Sequence, residues 1–569
     1  MKSLFFRITA LVLLACVLLP LGAAAADVTE DGHVIAQPEL LEQFTFPEDW
    51  SADALRFCVG NGILKGRSDG LAPGEPITRA ETAAILVRLL GAVSSKPDLS
   101  RFTDADPAAW YHPELAAAVE QGILKGTGAD KLNPDGFVTR EQAVTLLCRA
   151  FGIHTTDPYL WKTFADGEGC ASYARYAVSA LAEQGILRGF PDGTLRPGQS
   201  ITRAQMAVLL YGAVTAVCGD GEGIPSTQVV IYRGTSPVSE GLTLPGSLTV
   251  GCGQSGALSL SNLTLSGSLI LRSAAGSSVS LTGCKAEAVV CAADHMTVTI
   301  EDTVDVCVIL GENVTITGSG TVGHLILTND TALVEVYWET VTDQTKPDPL
   351  KEVDTLTVWD TVTRDTALYS YDNLTGWRLD LPAGTRLRHY YYREGNAAAS
   401  VYTEDGRFGF VDIDCIEIPT EPQKIAEPYS REIAEGFVNA KGYDSATRYL
   451  IWVSLKTQTV NVFEGSQGSW SLIRSVPCAS GKNATPTCKG EFTIQKKLWE
   501  WDFGTYKVKN VTVFYGGYAF HSRIYNRSYT EMLDDAIGYP ASDGCLRMLD
   551  EDCRYIMDEM PYGTRVVVY

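Results

Sequence analysis

Near its C-terminus the chain reads Tyr518-Ala-Phe-His-Ser522 and, one loop later, Ser542-Asp-Gly-Cys-Leu-Arg-Met548. Short runs of β-branched and aromatic residues come before this stretch, among them Tyr449-Leu-Ile-Trp-Val-Ser454 and Val511-Thr-Val-Phe-Tyr515. Such runs, separated by turns that contain glycine, are typical of strands. We therefore expect a mainly-β domain over residues 446–569, with a histidine at a strand end and a cysteine in a later loop.

The pattern supplies the groups of a cysteine nucleophile. A free thiol has a pKa of about 8.5 and is only a few per cent thiolate at neutral pH. A neighbouring imidazole can accept the thiol proton, which gives a thiolate–imidazolium pair. We therefore predict that Cys545 is the nucleophile and that His521 is its general base and acid. The backbone carbonyl of Ser522 is expected to orient the imidazole and hold its tautomer.

The residues around the cysteine have predicted roles of their own. Gly544 allows a close approach of the backbone, so the amides of Gly544 and Cys545 are candidates for an oxyanion hole, with Ser542 in the same motif. Arg547 is expected either to fix the motif loop or to meet a substrate carboxylate.

With Thr485-Pro486 upstream and Gly563-Thr-Arg-Val-Val-Val568 at the end, these elements resemble the L,D-transpeptidase catalytic domain of the YkuD type. The resemblance implies that the cysteine attacks a peptidoglycan tetrapeptide stem at its third residue, a diamino acid, and releases the terminal D-Ala. The resulting thioester would then pass to a side-chain amine of another stem, and no cofactor is implied. Asp543 stands where this family usually has histidine, and a carboxylate close to the sulfur would raise the pKa of the thiol.

Two alternatives remain open for this domain. The thioester could pass to water, which would make the protein an L,D-carboxypeptidase. The domain could also be catalytically silent, in which case the protein would be a structural component of a surface layer or cell wall, and Cys545 a small buried hydrophobe.

One pattern occurs three times in the N-terminal part. Gly-Ile-Leu, a basic residue and Gly recur at 62–66, 122–126 and 185–189, and a Thr-Arg pair follows each copy. The repeat spacing of about 60 residues indicates one helical unit per copy. The threonine of each pair is expected to be a helix N-cap, which gives the positions Thr78, Thr139 and Thr202.

The three copies resemble the S-layer homology domain, for which three in tandem is the usual number. The resemblance implies an all-α bundle over residues 48–216, with repeats at about 48–93, 101–153 and 163–216, that binds secondary cell-wall polysaccharide noncovalently. It also implies that the repeated arginines bind carboxylate or pyruvyl groups in grooves between repeats. The repeated arginines are Arg79, Arg140 and Arg203. The alternative is that these arginines pair with acidic residues on the helix surface.

The middle of the chain is predicted to be β-rich. Short alternating runs about ten residues apart over residues 226–345 indicate a β-solenoid or a sandwich, with cysteines in its core (Cys252, Cys284, Cys291 and Cys307). Residues 355–418 contain tyrosine-rich strands and are weakly similar to bacterial SH3-like modules, whose aromatic faces often contact cell-wall peptides. A spacer barrel with an aromatic core is the alternative for this second segment.

Export is predicted from residues 1–26, where Lys2 and Arg7 come before an apolar run and Ala24 and Ala26 form a cleavage site. We therefore expect a secreted bacterial cell-wall protein, of the Gram-positive type, without a membrane span after signal removal. The net charge of −22 disfavours a nucleic-acid partner. Of the 14 cysteines, removal of Cys16 leaves an odd number without metal-ligand spacing, so at least one thiol is expected to be unpaired.

Overall fold

The computed structural model describes residues 26–569, apart from 68–69, 93, 95–97, 129, 237, 239, 252–255, 274 and 423–426. The predicted signal peptide lies outside the described residues except for Ala26, and Cys252 lies outside them too. The chain divides into two compact units, one up to Lys346 and one from Pro347 to Tyr569. In the described part of the chain, no helix combines the length and the apolar character that a bilayer span requires.

The repeat region of the first unit is built from helix pairs. Two short antiparallel strands precede it, β1 (Asp27–Val28) and β2 (Val34–Ile35). The α-helices are α1 (Ala52–Gly60), α2 (Arg79–Leu90), α3 (His112–Glu120), α4 (Arg140–Phe151), α5 (Ser172–Glu183) and α6 (Arg203–Ala213), and 3₁₀ helices span Pro38–Gln43, Leu160–Thr163 and Gly167–Gly169.

The predicted N-caps are confirmed. Thr78, Thr139 and Thr202 each accept a hydrogen bond from the backbone N–H three residues later, in a complete capping box. Each cap satisfies two backbone N–H groups that a helix leaves unpaired and stabilises its helix by about 1 kcal/mol.

Extended segments join the three repeats around a common centre. The N–H of Ile77 donates to Ile201 O (3.1 Å), that of Ile201 to Val138 O (3.0 Å), and that of Val138 to Ile77 O (3.0 Å), which closes a ring. Isolated β-bridges flank this ring. The prediction of an all-α bundle is therefore not confirmed, because the extended backbone before each N-cap leaves polar groups that pair across repeats.

The rest of the first unit is a parallel β-solenoid, one of the two predicted alternatives. Its strands are β3 (Ala216–Cys218), β4 (Val229–Tyr232), β5 (Thr243–Leu244), β6 (Ser247–Val250), β7 (Ala257–Ser261), β8 (Thr264–Leu265), β9 (Leu269–Leu271), β10 (Ser278–Thr282), β11 (Val289–Cys291), β12 (Thr297–Ile300), β13 (Thr303–Ile309), β14 (Thr315–Thr317), β15 (Thr321–Leu327), β16 (Leu333–Val334) and β17 (Tyr337–Asp343). Cys307 lies in register between Val289 and Leu325, and Cys291 between Leu271 and Ile309. Both thiols are buried, as is Cys284, so these cysteines belong to the core.

The second unit begins with a small antiparallel sheet. After α7 (Pro349–Glu352), its strands are β18 (Trp359–Val362), β19 (Thr366–Tyr369), β20 (Arg378–Leu381), β21 (Arg386–Tyr391), β22 (Ala398–Tyr402), β23 (Phe408–Asp412) and β24 (Ile416–Glu417), with a 3₁₀ helix at Ile413–Cys415. We call residues 355–418 the tyrosine module. Its resemblance to SH3-like domains stays a prediction.

The C-terminal domain is β-rich, as predicted. After α8 (Arg431–Ala440) come β25 (Tyr449–Ser454), β26 (Thr459–Glu464), β27 (Ser471–Ala479), β28 (Gly490–Thr493), β29 (Lys496–Asp502), β30 (Lys507–Tyr515), β31 (Tyr518–His521), β32 (Ile524–Tyr525), β33 (Met532–Asp534), β34 (Leu546–Met548), α9 (Asp550–Glu559) and β35 (Arg565–Val568). The strands follow the order β28-β35-β25-β26-β27-β34-β31-β30-β32-β33, and β29 pairs with β30. In this order β31, which ends with the histidine, is the direct neighbour of β34, which begins just after the cysteine.

Candidate active site

Strand pairing brings the predicted histidine and cysteine to one face of the sheet. β31 and β34 are parallel, and His521 lies opposite Arg547. Side chains alternate between the two faces of a strand, so Cys545, two residues before Arg547, is on the same face as His521. Cys545 immediately precedes β34, so it lies next to the strand that ends at His521.

The imidazole of His521 is buried and has a defined tautomer. Its Nδ1 lies 2.6 Å from the carbonyl oxygen of Ser522. A carbonyl only accepts hydrogen bonds, so Nδ1 carries the proton and Nε2 keeps its lone pair. The pKa of His521 is lowered to about 4, mainly by burial. The charge of Arg547 lowers this pKa further, and the hydrogen bond to Ser522 opposes the shift. The ring is therefore neutral at neutral pH and able to accept a proton at Nε2.

The thiol of Cys545 is also uncharged at rest. Its Sγ donates to the carbonyl of Gly517 at 3.4 Å. Burial raises the pKa of Cys545 to about 11, a backbone hydrogen bond from Ala519 lowers it, and the charge of Asp543 raises it. Because burial penalises the charged form of both groups, the resting state is a neutral thiol beside a neutral imidazole, and the predicted thiolate–imidazolium pair is not favoured.

Asp543, which stands where the resembled family has histidine, is exposed to solvent. Its Oδ1 lies 3.4 Å from Nζ of Lys482. Its charge raises the pKa of Cys545 less than burial of the thiol does. The carboxylate is screened by solvent and by the lysine, so the substitution in the motif has a small electrostatic cost.

We expect Asp543→Asn, which removes the charge and keeps the shape, to speed alkylation of Cys545 by iodoacetamide at pH 8 by no more than about fivefold. Asp543→His should behave like Asp543→Asn, because a side chain at this position faces solvent. The second-order rate constants of both variants, followed by mass spectrometry at residue 545, test this expectation. A much larger acceleration in the histidine variant than in the asparagine variant would place residue 543 beside the sulfur.

A hydroxyl group closes the loop that carries the cysteine. Ser542 Oγ donates to the carbonyl of Cys545 at 2.6 Å and accepts the N–H of Gly544 at 3.1 Å. The amide of Gly544, predicted as an oxyanion donor, is therefore bonded to Ser542 in the resting structure. On the other side Thr487 Oγ1 donates to the carbonyl of Gly544 at 2.7 Å. Sequence analysis did not single out Thr487, whose only signal is its place next to the Thr485-Pro486 pair.

Two glycines allow the backbone to pass close to the motif. Gly544 has a φ of +120°, and a Cβ there would lie 2.9 Å from the ring of Tyr518. A Cβ on Gly481 would lie 2.1 Å from Thr485 O and 2.9 Å from Gly544 Cα. No side chain fits at either position without displacement, so the cysteine loop and residues 481–487 form one close-packed support.

Arg547 is buried and fixes the motif to a neighbouring strand. Its Nη1 lies 2.8 Å from Asp534 Oδ2, at the end of β33. Its Nε has no hydrogen-bond partner among the described residues. Of the two predicted roles, the contact with Asp534 supports fixing the loop, and contact with a substrate carboxylate stays a prediction.

The tyrosine module supports the same region from outside the domain. Ala484 O accepts the N–H of Tyr392 at 2.7 Å and lies 3.1 Å from His389 Nε2, while His389 Nδ1 lies 2.6 Å from Asp360 Oδ2. Burial raises the pKa of Asp360, and its side chain and that of His389 are fully buried. Sequence analysis missed this support, because it joins strands of the tyrosine module to a loop of the catalytic domain.

The three repeated arginines contact backbone carbonyls of the next repeat. Arg79 and Arg203 are buried and Arg140 is half-buried. The bonds run from Arg79 to Leu132 O (2.8 Å) and Lys125 O (3.0 Å), from Arg140 to Arg188 O (2.8 Å), and from Arg203 to Leu71 O (2.9 Å) and Lys65 O (2.7 Å). Arg203 also pairs with Glu81 at 3.1 Å. These contacts tie the repeats together, and binding of wall polysaccharide by the three arginines stays a prediction.

A second candidate site is a groove between repeats. A cavity of about 440 Å³ is lined by residues of all three repeats, among them Arg67, Arg88, Trp110 and Arg203. Trp110 is 59% exposed. An exposed aromatic ring beside several guanidinium groups suits an acidic sugar, because the ring can stack on a sugar face and the cations can bind its carboxylate.

Known protein families match both ends of the chain. A profile of the L,D-transpeptidase catalytic domain matches residues 448–568, and a profile of the S-layer homology domain matches residues 46–83, 101–144 and 163–207. The two profiles leave the solenoid and the tyrosine module unassigned.

The relatives found are similar over part of the chain. The S-layer protein sap of Bacillus anthracis is 31% identical over 169 residues, which is 29% of this chain and 20% of the relative. The amylopullulanase of Thermoanaerobacterium thermosulfurigenes is 29% identical over 169 residues, which is 29% of this chain and 9% of the relative. An L,D-transpeptidase structure from Mycobacterium smegmatis is 22% identical with a TM-score of 0.17, over 21% of this chain and 58% of that one. This chain thus spans only 9% to 20% of the first curated relatives.

Proposed function

We propose that this chain, in which three S-layer homology repeats are joined to an L,D-transpeptidase catalytic domain, is a peptidoglycan L,D-transpeptidase held at the bacterial cell wall. The observation that carries the proposal is the neutral pair of Cys545 and His521, with Nδ1 of the histidine bonded to Ser522 and Nε2 left as a base. A purely structural domain has no need for a nucleophile and a base on one face.

In the first half-reaction Cys545 attacks the carbonyl of the third stem residue. His521 Nε2 accepts the thiol proton as the sulfur–carbon bond forms, so no free thiolate has to be stabilised beforehand. Backbone amides of the cysteine loop stabilise the oxyanion, and Gly544 must exchange its bond to Ser542 for this purpose. The intermediate collapses when the carbon–nitrogen bond breaks, and D-Ala leaves with the proton from His521.

In the second half-reaction the thioester passes to an acceptor. A side-chain amine of another stem attacks the thioester carbonyl and gives its proton to His521. The carbon–sulfur bond then breaks, and the proton returns to Cys545. Water as the acceptor gives the L,D-carboxypeptidase reaction by the same steps.

Incubation of the purified chain with a disaccharide tetrapeptide, with and without an acceptor stem, tests the proposal. We expect mass spectrometry to show release of D-Ala and a product that joins two stems. A product that has gained only water would identify a carboxypeptidase, and no loss of D-Ala under any condition would contradict the enzymatic function.

The pH dependence of this reaction should reflect the buried base. Because the general base must be unprotonated, kcat/KM for D-Ala release falls as the pH drops through the pKa of His521, which is about 4. We therefore expect nearly full activity at pH 5.5, where a histidine of ordinary pKa about 6.5 would leave about a tenth. Circular dichroism at each pH controls for unfolding, and an acid limb centred near 6.5 in the folded protein would contradict the assignment.

For the N-terminal repeats we propose binding to secondary cell-wall polysaccharide at the groove of Arg88 and Trp110. The guanidinium of Arg88 lies 3.3 Å from Glu114 and is partly exposed, so it can bind an incoming carboxylate. Such anchoring would keep the catalytic domain close to its substrate and raise the local concentration of stems.

A further inference from the structure

A cavity lies beside the cysteine loop, between the tyrosine module and the catalytic domain, both within the second unit. Its volume is about 490 Å³. One wall comes from β21 and β22 and contains Arg388, Tyr390, Tyr391 and Tyr402. The other wall comes from residues 480–489 and Tyr518. A cavity of this size accommodates a short peptide or a small sugar.

The charge of the cavity is opposite to that of the chain. Two cations line it, Arg388 and Lys489, and no acidic residue is among its described lining residues, although the chain has a net charge of −22. The acids that contact its walls are occupied elsewhere, Asp360 by His389 and Glu421 by the N–H of Asn483 at 2.9 Å. Two like charges side by side without a counter-charge create a site for an anion.

Neither cation has a carboxylate partner within the described residues. The guanidinium of Arg388 stacks over the ring of Tyr402 at 4.5 Å, and Lys489 Nζ donates to the carbonyl of Leu356. Although part of the Lys489 side chain is exposed, burial of its ammonium group and repulsion from Arg388 lower the pKa of Lys489 to about 8. An anion between the two groups would relieve this repulsion and raise the pKa of Lys489 again.

The cavity adjoins the loop that carries Cys545. The ring of Tyr518 forms part of its wall and also lies against Gly544, the residue before the nucleophile. Gly481 and Thr487, which support the cysteine loop, line the cavity too. A chain bound at Cys545 therefore reaches the cavity within a few residues, since an extended residue spans about 3.4 Å.

We propose that this cavity binds a free carboxylate of a peptidoglycan stem peptide through Arg388 and Lys489, and so positions the stem for reaction at Cys545. The inference rests on the proposed function and names a subsite for it. A peptide stem is favoured over a wall polysaccharide by the place of the cavity, because Tyr518 and Thr487, which contact the loop of the proposed nucleophile, also line the cavity.

Binding to a variant that cannot react separates this inference from the catalytic proposal. The parent for this experiment is the full chain with Cys545→Ala. Calorimetry measures binding of a disaccharide tetrapeptide to this parent and to three double variants that carry Arg388→Gln, Lys489→Gln or Arg386→Gln in addition. Arg386 is the matched control, since it lies on the same strand and stacks over Trp359 at 4.9 Å but does not line the cavity. We expect the dissociation constant to rise about tenfold with either cavity variant and to stay unchanged with Arg386→Gln.

A second arm identifies the group that is bound. With a stem whose carboxylates are amidated, the parent should bind about tenfold more weakly, and Arg388→Gln should cause no further loss. Equal binding by the cavity variants and the control, with thermal melts showing all to be folded, would overturn the inference. It would also be overturned if Arg388→Gln weakened binding of a wall polysaccharide fragment and left the stem unaffected. If the wild-type chain releases no D-Ala while these binding differences persist, only the catalytic proposal fails.

Discussion

Replacement of Cys545 by alanine is expected to abolish release of D-Ala, with a loss of at least about 10³-fold in kcat. The sulfur is the atom that would form the thioester, and alanine supplies no nucleophile in its place. The same variant should fail to form a covalent adduct with a carbapenem, which traps the thioester of this family. Both outcomes are measured by mass spectrometry of the intact chain.

Cys488 provides the matched control for this experiment. Among the described cysteines, only Cys488 and Cys545 are not buried. Cys488 lines the neighbouring cavity, and burial raises its pKa to about 12. Cys488→Ala should therefore still form the carbapenem adduct. An adduct that survives in Cys545→Ala and disappears in Cys488→Ala would reassign the nucleophile to Cys488.

The local geometry of the candidate site could be predicted because it depends on short stretches of chain. The bond from His521 Nδ1 to the Ser522 carbonyl was expected, because it joins adjacent residues. The bond from the Ser542 hydroxyl to the Cys545 carbonyl is equally local but was not expected. The direction of Asp543 could not be predicted, because it depends on Lys482, which is far away in sequence. The protonation states of Cys545 and His521 could not be predicted from the sequence either, because the burial of both side chains depends on the whole domain.

The same distinction holds for the rest of the fold. The N-caps at Thr78, Thr139 and Thr202 follow from residues within one helical turn, whereas the ring of bonds among Ile77, Val138 and Ile201 joins three separate repeats. Alternating runs predicted strands in the middle of the chain, but alternation is the same in a solenoid and a sandwich. Only the parallel register distinguishes the two, and register depends on contacts between successive turns of the solenoid.

Replacement of Arg203 by alanine is expected to destabilise the repeat region and release the protein from the wall. Arg203 is 2% exposed, and its side chain donates to the carbonyls of Leu71 and Lys65 and to Glu81. Loss of three buried hydrogen bonds at about 1 kcal/mol each removes about 3 kcal/mol. For a region of this size, the first thermal transition should fall by about 6–12 °C, as measured by calorimetry of the full chain. Arg196→Ala is the control in the same repeat, because the Arg196 side chain is exposed and its ion pair is with Asp192 of its own loop; it should leave this transition within about 2 °C.

A variant of the groove separates stability from ligand binding. Arg88→Gln combined with Trp110→Ala should keep the melting temperature near that of the parent, because Trp110 is exposed and the ion pair of Arg88 among the described residues is with the partly exposed Glu114. The double variant should nevertheless lose most of its sedimentation with purified sacculi, and the parent should lose it when the secondary polysaccharide is removed from the sacculi.

If Arg203→Ala instead melts like the parent while sedimentation is lost, its guanidinium contacts the polysaccharide directly, and the assignment of Arg203 to the joint between repeats is wrong. Retained sedimentation of the double variant would exclude the groove as the wall-binding site.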